Sequence, residues 1–272
     1  MNTFLKRTLT ATVFVALLLG CTYYNQLSFS ILFFIITILG LWEFYTLSEK
    51  GDNQPQKIWG TLTGAVFFLC NSLVCMGYMD IQILIVTIPL IFLIFIFELY
   101  TKALNPFRNI AFTLLGIIYV ALPFSLLNYI VTYTGKYSYE LLFGILFILW
   151  CNDSGAYLTG SAFGKHKLFP RVSPGKSWEG AIGGAIVSFI IVFIISGWYT
   201  SVNLMDWIVI ATILIIIGTL GDLVESLFKR SKNIKDSGTL LPGHGGILDR
   251  FDSLIMAIPF VFTYLCLVKI FL

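Results

Sequence analysis

The fold class this sequence predicts is an all-α, polytopic integral membrane protein of about nine transmembrane helices, N-terminus cytoplasmic and C-terminus outside. Three observations predict it. Only 11% of residues are charged, against about 25% in an average soluble domain, so the chain cannot cover itself with a solvated surface. Mean hydropathy is +0.90, and apolar runs recur along the whole length near the ~20 residues that cross a bilayer core as helix. The runs are continuous rather than alternating apolar and polar, which favours helices over a barrel.

The expected spans are 8–24, 27–47, 59–78, 81–100, 109–131, 139–160, 180–199, 205–224 and 252–271. The first follows Lys6 and Arg7 and gives way to the short loop CTYYNQ. Lys50 and Lys57 stand between the second and third spans, GYMD closes the third, and Lys102 and Arg108 separate the fourth from the fifth. TYTGKYS leads into the sixth span and TSVNLMD into the eighth, while two long polar segments, 152–179 and 222–251, follow the sixth and the eighth. With the N-terminus inside, fifteen of the 17 lysines and arginines fall on the cytoplasmic side, and only Lys136 and Lys269 fall opposite. That bias supports both the count and the orientation. No separate soluble domain fits the gaps, so 1–272 reads as a single membrane domain, with 1–130 as helical scaffold and 139–272 carrying the catalytic helices and cytoplasmic loops.

Some features read as structural. Cys21, Cys70, Cys75, Cys151 and Cys266 show no metal-ligand spacing and suit small apolar packing. LLGC, ending at Cys21, resembles a lipoprotein cleavage site, but Leu19 stands where a small or β-branched residue is usual, and the first span is expected to be retained. Glu43 and Glu98 lie near inner helix ends, where a charge is cheap to place, and read as structural.

The polar chemistry gathers in the two long inner segments. In the first, Asp153 ends an uncharged run of 12 residues and shares a helix face with Tyr157. Gly160 and Gly164 form a GxxxG pair suited to close helix packing. Lys165, His166, Lys167, Arg171 and Lys176 follow, among Pro170, Pro174 and Gly175. SPGKSWEG does not make a Walker A loop, because Pro170 stands where its first glycine is required. In the second segment Asp222, Glu225 and Lys229 form one helical stripe beside Arg230, and Asp249 and Asp252 share a face at the start of the last span. Between them Lys232, Lys235, Asp236, Pro242 and His244 accompany Gly243, Gly245 and Gly246, a glycine density that lets backbone N–H groups approach a ligand. Magnesium takes a few carboxylate oxygens and completes its shell with waters and phosphates, so Asp222 and Asp249 suit such an ion. The basic residues would neutralise phosphate charge.

Residues 226–252, SLFKRSKNIKDSGTLLPGHGGILDRFD, resemble the signature of the phosphatidate cytidylyltransferase (CDP-diacylglycerol synthase) family. Ser226, Lys229, Arg230, Lys235, Asp236, Pro242, His244, Gly245, Gly246, Asp249, Arg250 and Asp252 all fall in register. A second stretch, with Asn152, Asp153, Ala156, Tyr157, Gly160, Phe163, Gly164 and Lys165, is similar to another family segment, and so is SPGKSWEG, with Ser173 and Lys176. Gly175 departs from the Lys or Asn more usual there. The resemblance is strong over 150–252 and architectural before that.

The resemblance implies transfer of the cytidylyl group of CTP to phosphatidate in phospholipid biosynthesis, giving CDP-diacylglycerol and pyrophosphate. It implies Mg2+ held by Asp222 and Asp249, the pair that the residues alone single out, and leaves open a second, monovalent cation. Lys229, Arg230, Lys235, Asp236, His244, Arg250 and Asp252 complete the expected catalytic set. Asn152, Asp153, Tyr157, Lys165, Ser173, Lys176, Ser226, Gly245 and Gly246 form the expected substrate-binding set. Placement in the inner cell membrane follows, with the site at the cytoplasmic face. No nucleic-acid partner is expected, and the glycine pairs allow a homodimer without requiring one. Rivals fit less well: the D-G-x-x-A-R motif of head-group transferases is absent, and Ala156 breaks the N-D-x-x-D of prenyltransferases. A transporter would place charge at mid-bilayer in repeated halves.

Overall fold

A computed structural model describes residues 3–49, 53–234, 237–238 and 245–271, with side chains from residue 8 to residue 270. Ten α-helices dominate it: α1 (Thr3–Tyr24), α2 (Gln26–Ser48), α3 (Lys57–Cys75), α4 (Thr87–Glu98), α5 (Pro106–Gly116), α6 (Leu122–Val131), α7 (Glu140–Phe163), α8 (Trp178–Ser196), α9 (Leu204–Ser231) and α10 (Leu248–Phe271). Among the described residues eight helical segments are long and apolar enough to cross a membrane, and the apolar part of α1, Thr8–Tyr24, is a shorter ninth. The all-helical reading holds. Two spans are less regular than their hydropathy suggests. The fourth begins as a 3-10 turn, Ile81–Val86, and the fifth is α5 and α6 joined through a π segment, Ile117–Ala121.

The chain divides into two compact units. One comprises Met1–Tyr129 with Ser231–Phe251, the other Ile130–Arg230 with Asp252–Leu272. The polar segment 231–251 is thereby grouped with the N-terminal helices. In the first unit the rings of Phe33, Phe124 and Phe251 meet at centroid distances of 5.4 to 6.3 Å, and Phe14 packs edge-on against Phe251 at 5.8 Å. Edge-to-face pairs suit the aromatic quadrupole, and Phe251 anchors the first turn of α10 in this aromatic core. Glu98, at the end of α4, accepts from Gln56 Nε2 (2.6 Å) and Asn109 Nδ2 (2.9 Å), which pins the start of α3 and α5 to α4. It serves as structural glue.

In the second unit α7 and α8 pack most closely, and glycines make this possible. A Cβ on Gly184 would lie 2.6 Å from the backbone oxygen of Asn152, and one on Gly160 would lie 3.4 Å from the Cα of Gly180. The Gly160 packing expected from sequence is therefore used inside the chain and gives no argument for a second copy. Gly184→Val is expected to destabilise the protein by about 1–3 kcal/mol or more through overpacking, read as a lower midpoint of thermal unfolding in detergent.

Among the described residues one small antiparallel hairpin forms, β1 (Lys167–Phe169) and β2 (Ser173–Ser177). The turn residues Pro170 and Pro174 flagged this stretch only as loop. Glu179, in the first turn of α8, closes it: its carboxylate meets His166 Nδ1 at 2.6 Å and accepts from the backbone N–H groups of Lys165 and His166 at 3.2 Å. Ser177 caps α8 by accepting from Gly180 N at 3.1 Å. Those two devices hold β2 against the polar end of α7.

Candidate active site

In the second unit the polar ends of α7, β2, α8 and α9 enclose a pocket of about 370 Å³. Small-molecule sites commonly start near this size. Asn152, Asp153 and Tyr157 line it from α7, Ser173 and Lys176 from β2, and Asp222 from α9, so six expected site residues from three separate segments meet here. Sequence reasoning missed Thr219, which lines the same pocket one turn before Asp222 on α9.

Asp222 is the electrostatic hinge of the pocket. Its Oδ2 lies 2.5 Å from Lys176 Nζ, and its Oδ1 accepts from Ser226 Oγ at 3.2 Å. Asp153 lies within electrostatic reach of both Lys176 and Asp222. Asp252 feels Asp222, Asp153 and Lys229. The neighbouring Gly221 explains how α9 and α10 come so near, since a Cβ there would lie 2.8 Å from the backbone oxygen of Asp252. Asp153, Asp222 and Asp252 are thus electrostatic neighbours, with Lys176 paired to Asp222 and Lys229 within reach of Asp252. Lys229 is 9% exposed and bonds Glu225, itself 1% exposed, at 2.8 Å. A triphosphate approaching these carboxylates would gain from a bridging cation. Among the described residues no three His, Cys, Asp or Glu side chains are grouped to hold a metal alone. Magnesium does not demand such a cage; one or two carboxylates with substrate phosphates suffice. The donor set fits it.

The first unit holds the other half of the signature. Asp249, in the first turn of α10, receives three donors on Oδ2: Ser237 N (2.9 Å), Ser237 Oγ (2.8 Å) and Gly246 N (2.8 Å). A carboxylate at a helix N-terminus also faces the positive end of the dipole. Gly245 sits at φ +80°, where a side chain is strained, and its added Cβ would meet Asp249 Oδ2 at 2.3 Å. The expectation that Gly245 and Gly246 offer backbone N–H groups to a ligand needs correcting for Gly246, whose N–H is taken by Asp249. Lys232 donates to the carbonyl of Ser48 at 3.3 Å and lies 5.3 Å from the Phe112 ring centroid; burial and the charge of Arg108 push its pKa down.

Arg230, Arg250 and Lys165 are exposed, and Lys165 is held through its backbone to Glu179. Lys235, Asp236 and His244 lie outside the described residues, as does Pro242. Asp222 belongs to the second unit and Asp249 to the first.

The fold is that of a helical, polytopic membrane protein, and its pocket gathers acidic and basic side chains at the polar ends of α7, β2 and α9. The chain belongs to the cytidylyltransferase family, whose sequence model matches residues 5–268. It is similar to the phosphatidate cytidylyltransferase of Haemophilus influenzae, at 34% identity over 284 residues covering 95% of this chain and 97% of that protein. It is similar also to proteins of that name from Staphylococcus saprophyticus (41%) and Staphylococcus haemolyticus (42%), each over 174 residues, 63% of this chain and 65% of theirs.

Proposed function

We propose that the chain transfers the cytidylyl group of CTP to phosphatidate, releasing pyrophosphate and leaving CDP-diacylglycerol in the bilayer. The observation that carries this reading is the end-to-end match with the Haemophilus influenzae protein, 95% of the chain at 34% identity. The pocket supports it chemically: acidic and basic side chains meet where helices leave their apolar stretches, the level at which a soluble nucleotide and a lipid head group can meet.

A phosphate monoester has its second pKa near 6, so the lipid phosphate is largely dianionic at neutral pH and needs no strong base. One of its oxygens forms a bond to the α-phosphorus of CTP, and the bond from that phosphorus to the oxygen bridging it to the β-phosphorus breaks in line, so that pyrophosphate leaves with that oxygen. His244 then has phosphate binding or loop shaping as its role rather than proton transfer. Lys176, Arg230, Lys235 and Arg250 supply positive charge to the phosphates, and Lys229 balances the buried Glu225 and the nearby Asp252. Asn152, Asp153, Tyr157 and Ser173 line the nucleotide side. Asp222 and Asp249 are the proposed magnesium ligands, and their pairing rests on the resemblance of the signature. Bound magnesium would stabilise charge on the triphosphate. The site is assigned to the cytoplasmic face of the inner membrane on the lysine and arginine bias.

Labelled CTP given to the purified protein in detergent micelles tests the reading. The expected result is an organic-soluble labelled product that requires both phosphatidate and magnesium. Label that stays aqueous under all conditions, or becomes lipid-soluble without phosphatidate, would overturn it.

A further inference from the structure

Glu43 is a charged residue in the middle of the scaffold half, and nothing in the proposed reaction uses it. It is 8% exposed, and its carboxylate is surrounded by the signature loop. Oε2 accepts from Ile247 N at 2.7 Å, Oε1 accepts from Leu248 N at 3.2 Å, and the Ser237 hydroxyl also donates to Oε1. Two glycines are shaped around it: a Cβ on Gly246 would sit 1.9 Å from Oε1, and one on Gly238 would sit 3.0 Å from Oε2.

Two orphan N–H groups at the start of α10 are thus capped from α2 rather than by a local Ser or Asp. Ser237 joins this cap to Asp249. Its hydroxyl lies between the two carboxylates, and its single proton can serve only one at a time. Asp249 Oδ2 already receives the N–H groups of Ser237 and Gly246. The shared hydroxyl couples the two carboxylates. Displacing the Glu43 carboxylate would release Ser237, then Gly246, and with them the orientation of Asp249.

We infer that Glu43 is a positioning residue for the reaction: through Ser237 and the first N–H groups of α10 it sets the Asp249 carboxylate for its ligand. This rests on the reading of Asp249 as a metal ligand. The matching shape of the loop argues for it over simple burial of a charge, because two backbone segments have given up side chains to admit this carboxylate. An amide cannot replace it, since its NH2 would face N–H donors.

Mn2+ titration of the purified detergent-solubilised protein, followed by electron paramagnetic resonance, tests the inference, with turnover measured alongside. Glu43→Gln is expected to weaken Mn2+ binding by about 10- to 100-fold, the usual effect of removing a group that orients a ligand. Ser237→Ala should move it the same way by less. A purely structural role would lower the number of occupied sites without changing the affinity of those that remain. Folded Glu43→Gln with the parent's affinity overturns the inference; if Glu43→Gln does not fold, parental affinity in Ser237→Ala overturns it instead. Asp249→Asn separates the premises. Should that variant bind Mn2+ like the parent, the assignment of Asp249 to the metal fails first, whatever Glu43→Gln does.

Discussion

Asp222→Asn is expected to give a protein that folds and inserts like the parent but turns over CTP about a thousandfold more slowly, a loss of about 4 kcal/mol in transition-state stabilisation. The substitution keeps the shape of the side chain and leaves an oxygen to accept from Ser226, so packing on α9 is preserved. It removes the charge that Lys176 approaches at 2.5 Å. Lys176 on β2 then loses its ion-pair partner, and Asp153 and Asp252 lose a like-charged neighbour. Local electrostatic strain therefore falls, and stability should not suffer. The combination of an unchanged midpoint of thermal unfolding with lost magnesium-dependent turnover separates a functional carboxylate from a structural one. Near-parental turnover in folded Asp222→Asn would remove this aspartate from the reaction. Lys176→Gln tests the partner and should act in the opposite way on stability, since it leaves three carboxylates facing each other.

The helices were legible because the bilayer sets a length that few other constraints impose. The runs 27–47 and 205–224 announced α2 and α9 by hydropathy alone, although α9 continues to Ser231 and carries Asp222, Glu225 and Lys229 on regular helix. The π segment Ile117–Ala121 left no trace, since a register shift within an apolar run does not change hydropathy. Asp153 and Asp222 could be named as candidate site residues from charge at a helix end, Tyr157 from the face it shares with Asp153, and Lys176 as a basic loop residue. That they line one pocket depends on the Glu179 latch and the Ser177 cap, which fold β2 back onto α7. Glu43 shows the opposite failure. Its isolation in an apolar run was the signal, and snorkelling was the cheap explanation. Its partners lie about two hundred residues away in Ser237, Ile247 and Leu248, a separation at which local pattern carries no information.

Lys229 offers the second large effect, on stability. Sequence position makes it a phosphate ligand, yet the side chain is buried and bonded to Glu225 one turn earlier at 2.8 Å. Removing one member of a buried pair leaves the other charge desolvated, at about 3–5 kcal/mol. Lys229→Met is therefore expected to destabilise the protein by about that amount, seen as a large drop in the unfolding midpoint in detergent. Replacing the pair together is a different matter, because apolar side chains of similar volume need no partner. The double variant Glu225→Leu/Lys229→Met should regain most of the lost stability. A double variant no more stable than the single one would show that the ion pair is not what Lys229 contributes to the fold. If stability returns while turnover stays low, the remaining defect belongs to the charge that Lys229 presents to Asp252. The pair then has two roles in one helix turn: Glu225 is what allows a lysine to be buried, and the buried lysine is what steadies the aspartate cluster beside it.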